Sequence, residues 1–252
     1  MNIYISLTSI YDNQQALYDT LFSIQQQSTL PTKCYLFLSQ EPYLLDKGFK
    51  NKNISSDKLK DILKNDLFVV EWVKNTGPFR KLLPLLKQKI SEDCIIITID
   101  DDTFYHKNTI KNYLSEYQKY KCVIASRSFG LKFDNIENIS YHNRQHTINP
   151  YLYNFHTGKG AVLYHPSFFD KSKKHLFDSE IYQECCPFGD DIWFNFHRIA
   201  NKVKCFIPNF KSYTKDLTTR FGLYNNINNK QDNNTKYMKL TIKTLQKLGY
   251  EI

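Results

Sequence analysis

A chain of 252 residues, 41% of them hydrophobic, can bury a full core as one α/β domain or two small ones; one is expected. Its 34 Lys and Arg against 25 Asp and Glu leave a net charge of +9, which calls for an anionic partner: nucleic acid, an anionic membrane surface or a phosphorylated small molecule. The lysines are scattered and no nucleic-acid motif is present, so nucleic acid is set aside.

Met1 to Leu7 lacks a basic region and a long apolar run, and no stretch approaches the roughly 20 apolar residues of a membrane span. The expectation is a cytoplasmic protein. Six cysteines without a C-x-x-C pair speak against zinc and for reduced, buried thiols.

In chain order, Asn2 to Thr8 reads as a strand, followed by a helix with Ala16, Leu17, Leu21 and Ile24 on one face. Lys33 to Ser39 is a second strand, Asn51 to Leu63 a loop and short helix, and Leu67 to Val73 a third strand. The alternation predicts parallel strands with right-handed crossovers. Asn75-Thr76-Gly77-Pro78-Phe79-Arg80-Lys81 then offers a tight turn, a proline suited to a first helical position and two cations near a helix start. A plain turn before a helix explains the same residues.

Ile95-Ile96-Ile97-Thr98-Ile99 is apolar or β-branched throughout, the pattern of a buried central strand, and Asp100-Asp101-Asp102 follow without a spacer. Three adjoining acids there need a cation, donors or open solvent. In an open α/β sheet the carboxyl end of such a strand faces the ligand crevice, where hard oxygen ligands suit Mg2+ or Mn2+. Extended backbone would put Asp100 and Asp102 on one face and Asp101 on the other. An acidic turn capping the next helix is the alternative.

Asn108 to Tyr120 reads as an amphipathic helix, Cys122 to Ser126 as a strand, and Arg127 to Phe155 as a long loop or small subsheet. His156 to Pro166 contains Gly158-Lys159-Gly160 entering a strand, either a close backbone approach or a bulge. Gly189-Asp190-Asp191-Ile192-Trp193 begins a helix with Trp193, Phe196 and Ala200 inward, its two acids at the first turn, where capping also accounts for them. A strand over Val203 to Pro208 follows. Asn209 to Asn234 reads as a polar tail or lid with Tyr224 as an anchor, and Thr235 to Leu248 as a final helix.

The order of these motifs resembles GT-A-fold glycosyltransferases of the family 2 type, similar to small bacterial enzymes of surface-polysaccharide synthesis. The matching stretches are Leu7-Thr8-Ser9-Ile10, Asn75-Thr76-Gly77-Pro78 with Lys81, the DXD-like Asp100-Asp101-Asp102, Gly158-Lys159-Gly160 and Gly189 to Trp193. The resemblance implies a single α/β domain with a mostly parallel, twisted central sheet flanked by helices over residues 1–210. Residues 1–105 would form the nucleotide-sugar half, 106–210 the acceptor half, and 211–252 a tail or lid with a helix.

It further implies that Thr8, Glu41, Lys81, Asp100 and Asp101 lie against the donor, with Glu41 departing from the aspartate common after the second strand. Asp102 with Asp100 would hold Mn2+ or Mg2+, and Asp191 or Asp190 would be the base of an inverting transfer. Gly158, Lys159, Gly160 and Trp193 would border the donor sugar and acceptor. His165 and the tail beyond Phe210 are candidates for a third metal ligand. The expected partners are a nucleotide-sugar donor and a glycan or lipid-linked acceptor, with peripheral contact at the inner membrane surface through the lysines. Rival readings are a sugar nucleotidyltransferase, which would want a glycine-rich basic loop after the first strand, and a non-catalytic module binding anionic glycans or nucleic acid.

Overall fold

The computed structural model describes residues 1–132, 136–142, 144–145, 148–217 and 232–252. Its first part runs β1 (Asn2–Thr8), α1 (Gln14–Gln25), β2 (Lys33–Leu38), α2 (Asp57–Ile62), β3 (Phe68–Trp72), α3 (Leu83–Lys89) and β4 (Cys94–Ile99). After the acidic triplet come β5 (Thr103–Tyr105), α4 (Thr109–Tyr120), β6 (Val123–Ala125), β7 (Ser128–Leu131), β8 (Arg144–Gln145), β9 (Asn154–His156) and β10 (Ala161–Tyr164). The remainder is α5 (Lys173–Leu176), α6 (Ser179–Cys185), α7 (Asp190–Ala200), β11 (Cys205–Phe206), β12 (Tyr213–Asp216) and α8 (Asn233–Lys247).

A seven-stranded sheet in the order β11-β6-β10-β4-β1-β2-β3 forms the centre. The first four strands pair in parallel, as their alternation with helices predicts. The chain moves outward from β1 to β2 and β3, then returns to place β4 on the other side of β1. Strand order therefore reverses between β1 and β4, and the crevice beyond their carboxyl ends is the topological switch point of the sheet.

β10 runs antiparallel between β4 and β6, with Ala161 opposite Ile99 and Tyr164 opposite Ile96. Its direction carries the Gly158–Gly160 segment to the carboxyl end of β4 and its far end, His165, to the opposite edge.

Ile95, Ile96, Ile97 and Ile99 are at most 1% exposed, so each contributes about 1.5–3 kcal/mol of burial and holds the following acids at the crevice. Trp193, Phe196 and Ala200 face the core from α7, as their spacing predicts. All six cysteines are free and buried. No described helix is long and apolar enough to cross a membrane.

The region from Arg127 to Phe155 contains the small sheet β8-β7-β9. Of the polar stretch from Asn209 to Asn234, residues 218–231 lie outside the described residues, and the described part differs from a free tail. β12 pairs with β5, and Met238, Ile242 and Leu245 of α8 are fully buried, so these elements are built into the same core. Tyr224 lies outside the described residues.

Candidate active site

Gly77 to Lys81 form a single tight helical turn before α3. Gly77 has φ +64°, where a Cβ would stand 3.0 Å from the Tyr43 ring, and Asn75 Oδ1 accepts its N–H at 3.1 Å. The turn is fixed to β1 by Ser6 Oγ, which donates to the Lys81 carbonyl at 2.6 Å. Lys81 thereby reaches the carboxyl end of β4, where its ammonium pairs with Asp100; the two side chains are only 14% and 18% exposed. Burial opposes the lysine charge, but Asp100, Asp190 and Asp101 outweigh it and hold Lys81 above its ordinary pKa.

The other carboxylate oxygen of Asp100 accepts the Gly160 N–H at 3.0 Å. Tyr105 closes the link: its hydroxyl accepts the Asp100 N–H at 2.9 Å and donates to the Gly160 carbonyl. Gly160 has φ +90°, and a Cβ there would lie 2.8 Å from Ser126 Cβ. The Gly158 position is roomier: a Cβ there would meet nothing nearer than Lys81 Nζ at 3.4 Å. Lys159 leans outward to Asp216 of β12 at 3.0 Å.

Asp101 turns away from Asp100, within a turn over Asp101 and Asp102 and not in the extended backbone that alternation assumes. It accepts hydrogen bonds from Ser9 Oγ and from Asn13 Nδ2, the latter at 3.2 Å. Burial, then the neighbouring Asp102, pushes its carboxyl up to about 7. Asp102 receives a long contact from Thr103 Oγ1 at 3.5 Å, and its carbonyl accepts the Leu217 N–H at 2.7 Å.

Asp190 and Asp191 open α7 behind Gly189. Burial raises both carboxyl pKa values; Lys81 opposes the rise most strongly at Asp190, while Asp190 itself adds to it at Asp191. Asp191 Oδ1 also accepts the Ile192 N–H at 2.9 Å, so part of the capping alternative is realised. Lys81 thus sits in the field of acids from β4 and α7, although the two segments are 90 residues apart in sequence.

Neither a family model nor a curated protein matches the chain. Solved structures do. S. aureus TarS 1-349 in complex with UDP matches at TM-score 0.59 and 13% identity, over 100% of this chain and 67% of that one. TarS 1-349 in complex with UDP-GlcNAc matches at 0.56 and 13%, over 90% and 61%. The 4-diphosphocytidyl-2C-methyl-D-erythritol synthase of Anaerococcus prevotii matches at 0.51 and 12%, over 87% and 91%. The chain has a GT-A-like fold. It spans only 37% of the longer TarS structure.

Within the GT-A-like sheet, the other sequence candidates fall in different places. Thr8 stands at the end of β1, its hydroxyl donating to the Phe37 carbonyl at 2.7 Å. Glu41 is exposed and meets the Asn75 N–H at 3.4 Å. The acid that organises the loop after β2 is Asp46, which no sequence motif singles out. It is buried and pairs with Arg80 at 3.0 Å, and it also accepts hydrogen bonds from the Gly48 N–H at 3.0 Å and the Asn75 side-chain Nδ2 at 3.1 Å. The signal for it is Arg80, a cation that burial forces to find a carboxylate.

Trp193 is fully buried, with its indole N–H on the Leu176 carbonyl at 3.0 Å, so it supports α7 from the core and does not border the crevice. His165 is corrected by the direction of β10: it bonds Asp93 at 3.1 Å at the amino end of β4, away from the acidic triplet, and cannot complete a metal shell there.

The described residues contain no group of three His, Cys, Asp or Glu arranged as metal ligands. Asp100 is engaged by Lys81 and Gly160, and Asp101 by Ser9 and Asn13. This donor set does not fit a cage made by protein alone. Mg2+ and Mn2+ commonly take one or two carboxylates and complete their shell with water and phosphate oxygens, a demand that carboxylates of this acidic triplet can meet.

Proposed function

We propose that the protein is a glycosyltransferase that moves a sugar from a nucleotide-sugar donor to an acceptor hydroxyl, with inversion and with a divalent cation. The observation that carries this is the convergence of Lys81, Asp100 and the Gly158–Gly160 segment with the Asp190–Asp191 pair at the β1/β4 switch point. The two TarS neighbours, in complex with UDP and UDP-GlcNAc, support a nucleotide-sugar ligand for this crevice.

In this reading the nucleotide lies across the ends of β1 and β2, near Thr8 and the Glu41–Asp46 loop, and Lys81 meets the diphosphate. Asp102 with Asp100 would hold the cation, which would supply positive charge to stabilise the departing diphosphate. Asp191 takes the proton of the acceptor hydroxyl. The hydroxyl oxygen forms the new bond to the anomeric carbon from the face opposite the leaving group, and the bond from that carbon to the diphosphate breaks. A carboxyl raised above the ordinary range is a stronger base once ionised, which suits this step near neutral pH. Asp190, more strongly coupled to Lys81, helps keep that ammonium charged. The acceptor is a glycan or lipid-linked saccharide, with the scattered lysines providing weak, salt-sensitive contact to an anionic membrane surface.

The test is a thermal-shift screen of nucleoside diphosphates and their sugars with and without Mn2+, followed by detection of the released nucleoside diphosphate. Stabilisation by a nucleotide sugar and release of the diphosphate on adding acceptor are expected; no response to any of them would refute the proposal. The synthase neighbour gives a second reading, nucleotidyl transfer. That reaction releases pyrophosphate from a nucleoside triphosphate. It is disfavoured by Ser9-Ile10-Tyr11-Asp12-Asn13 after β1, which has neither the glycines nor the cations of a triphosphate loop.

A further inference from the structure

Asn195 lies on α7 one turn beyond Asp191 and is fully buried. Its amide group donates in two directions, to the Asp191 carbonyl and to the His156 carbonyl, each at 2.7 Å. Its Oδ1 accepts the His156 N–H at 3.2 Å and Arg198 Nε and Nη2 at 3.1 and 2.8 Å.

Arg198 is equally buried, and all five of its N–H donors are used. Besides Asn195 they reach the carbonyls of Leu152 at 2.8 Å, Val203 at 2.9 Å and Asn154; no carboxylate is among these acceptors. A guanidinium can only donate, so it dictates that the Asn195 oxygen faces Arg198 and that the amide nitrogen faces Asp191 and His156. A buried cation and amide cost desolvation that apolar residues would not, and this one is offset only because every donor is met.

The two carbonyls that Asn195 holds belong to different walls of the crevice. Asp191 is the proposed base. His156 ends β9 and leads directly into Thr157 and Gly158–Gly160, whose last N–H reaches Asp100. We infer that Asn195 is a positioning residue that sets the separation between the Asp190–Asp191 pair and the Gly158–Gly160 segment, with Arg198 fixing its orientation. This rests on the transferase reading. A misplacement of about 1 Å between reacting groups costs about 100-fold in rate, so this brace acts on turnover more than on nucleotide binding.

The decisive variant is Asn195→Asp. It keeps an oxygen for Arg198 and the His156 N–H and even gives Arg198 a counter-charge, so a role confined to satisfying the arginine would survive. It removes both donors and turns an acceptor toward the Asp191 and His156 carbonyls. Asn195→Ser removes the amide without adding charge and separates loss of the brace from a new carboxylate near Asp191.

For both folded variants, kcat should fall about 10- to 100-fold, while the donor Kd measured by calorimetry stays within about twofold. Amides 157–161 should exchange deuterium faster than in the parent protein. Unchanged kcat and exchange in folded Asn195→Ser would overturn the inference, as would equal losses in kcat and donor affinity. If the parent protein turns over no nucleotide sugar, the transferase reading fails. The exchange of residues 157–161 then still decides whether Asn195 braces that segment.

Discussion

Replacing Gly160 with alanine tests how tightly the crevice is built. At φ +90° a side chain occupies a region that residues with a Cβ avoid, at about 1–2 kcal/mol. The new Cβ would lie 2.8 Å from Ser126 Cβ and 2.9 Å from Ser126 Oγ. Ser126 has little freedom to retreat, because its Oγ is bonded to Tyr113 and Ser212 and its N–H to the Ala161 carbonyl at 3.1 Å. The Gly160 backbone must move instead, weakening its N–H contact with the Asp100 carboxylate, a type of bond that contributes about 1.5–3 kcal/mol. The combined cost is about 3 kcal/mol, because backbone movement relieves part of the strain as it loses the bond. At about 2–4 °C per kcal/mol for a chain of this size, Tm should fall by about 6–12 °C. Gly158→Ala is the control: its closest neighbour is Lys81 Nζ at 3.4 Å and its φ is not in the left-handed region, so it should cost under about 1 kcal/mol. Urea denaturation and calorimetry of the two variants give the comparison. Equal costs, or a loss below about 0.5 kcal/mol for Gly160→Ala, would refute the packing account.

Three further outcomes are expected. Asp46→Ala leaves Arg80 buried without its carboxylate and should lose about 3–5 kcal/mol in urea unfolding, much of it recovered in Asp46→Ala/Arg80→Met; a loss under about 1 kcal/mol would show that the pair does not hold the loop. The Asp101 carboxyl is at about 7 in the folded protein, above its unfolded value of about 3.9. The folded state therefore binds more protons between those values, and this group makes stability fall as pH rises through that window. Asp101→Asn should gain on the parent protein between pH 5 and pH 8 in denaturation midpoint, and a pH-independent difference would contradict the assignment. Finally, Asp102→Ala should abolish Mn2+-dependent binding of nucleoside diphosphate in calorimetry; retained metal dependence would remove Asp102 from the cation's shell.

Much of this fold was legible in the residues. The apolar run Ile95 to Ile99 specifies a strand that only a sheet interior satisfies, and the alternating β1 to β4 pattern allows few topologies besides a parallel sheet. The three acids at its end, the Gly77-Pro78 turn with Lys81 and the double-acid start of α7 are also local statements, written in consecutive residues. Alternation along Asp100-Asp101-Asp102 assumed extended backbone; the chain turns at Asp101 and Asp102 instead, and Asp101 bonds Ser9 and Asn13.

Tertiary structure decided which of these features meet. The antiparallel direction of β10 brings Gly160 to Asp100 and removes His165 to the other edge; direction follows from how the strand is buried between β4 and β6, which its own residues do not encode. The choice of Asp46 over Glu41 follows from the demand of a buried Arg80 for a counter-charge across a gap of 34 residues. β12 is polar along most of its length and becomes a strand because β5 offers it an edge to pair with. Periodicity records which side of an element is apolar, so the sequence determined the elements that bury an apolar face, and β12, which has none, was left to the tertiary structure. The pairing of polar groups between distant segments depends on strand order and direction, and those exist only once the whole core has formed.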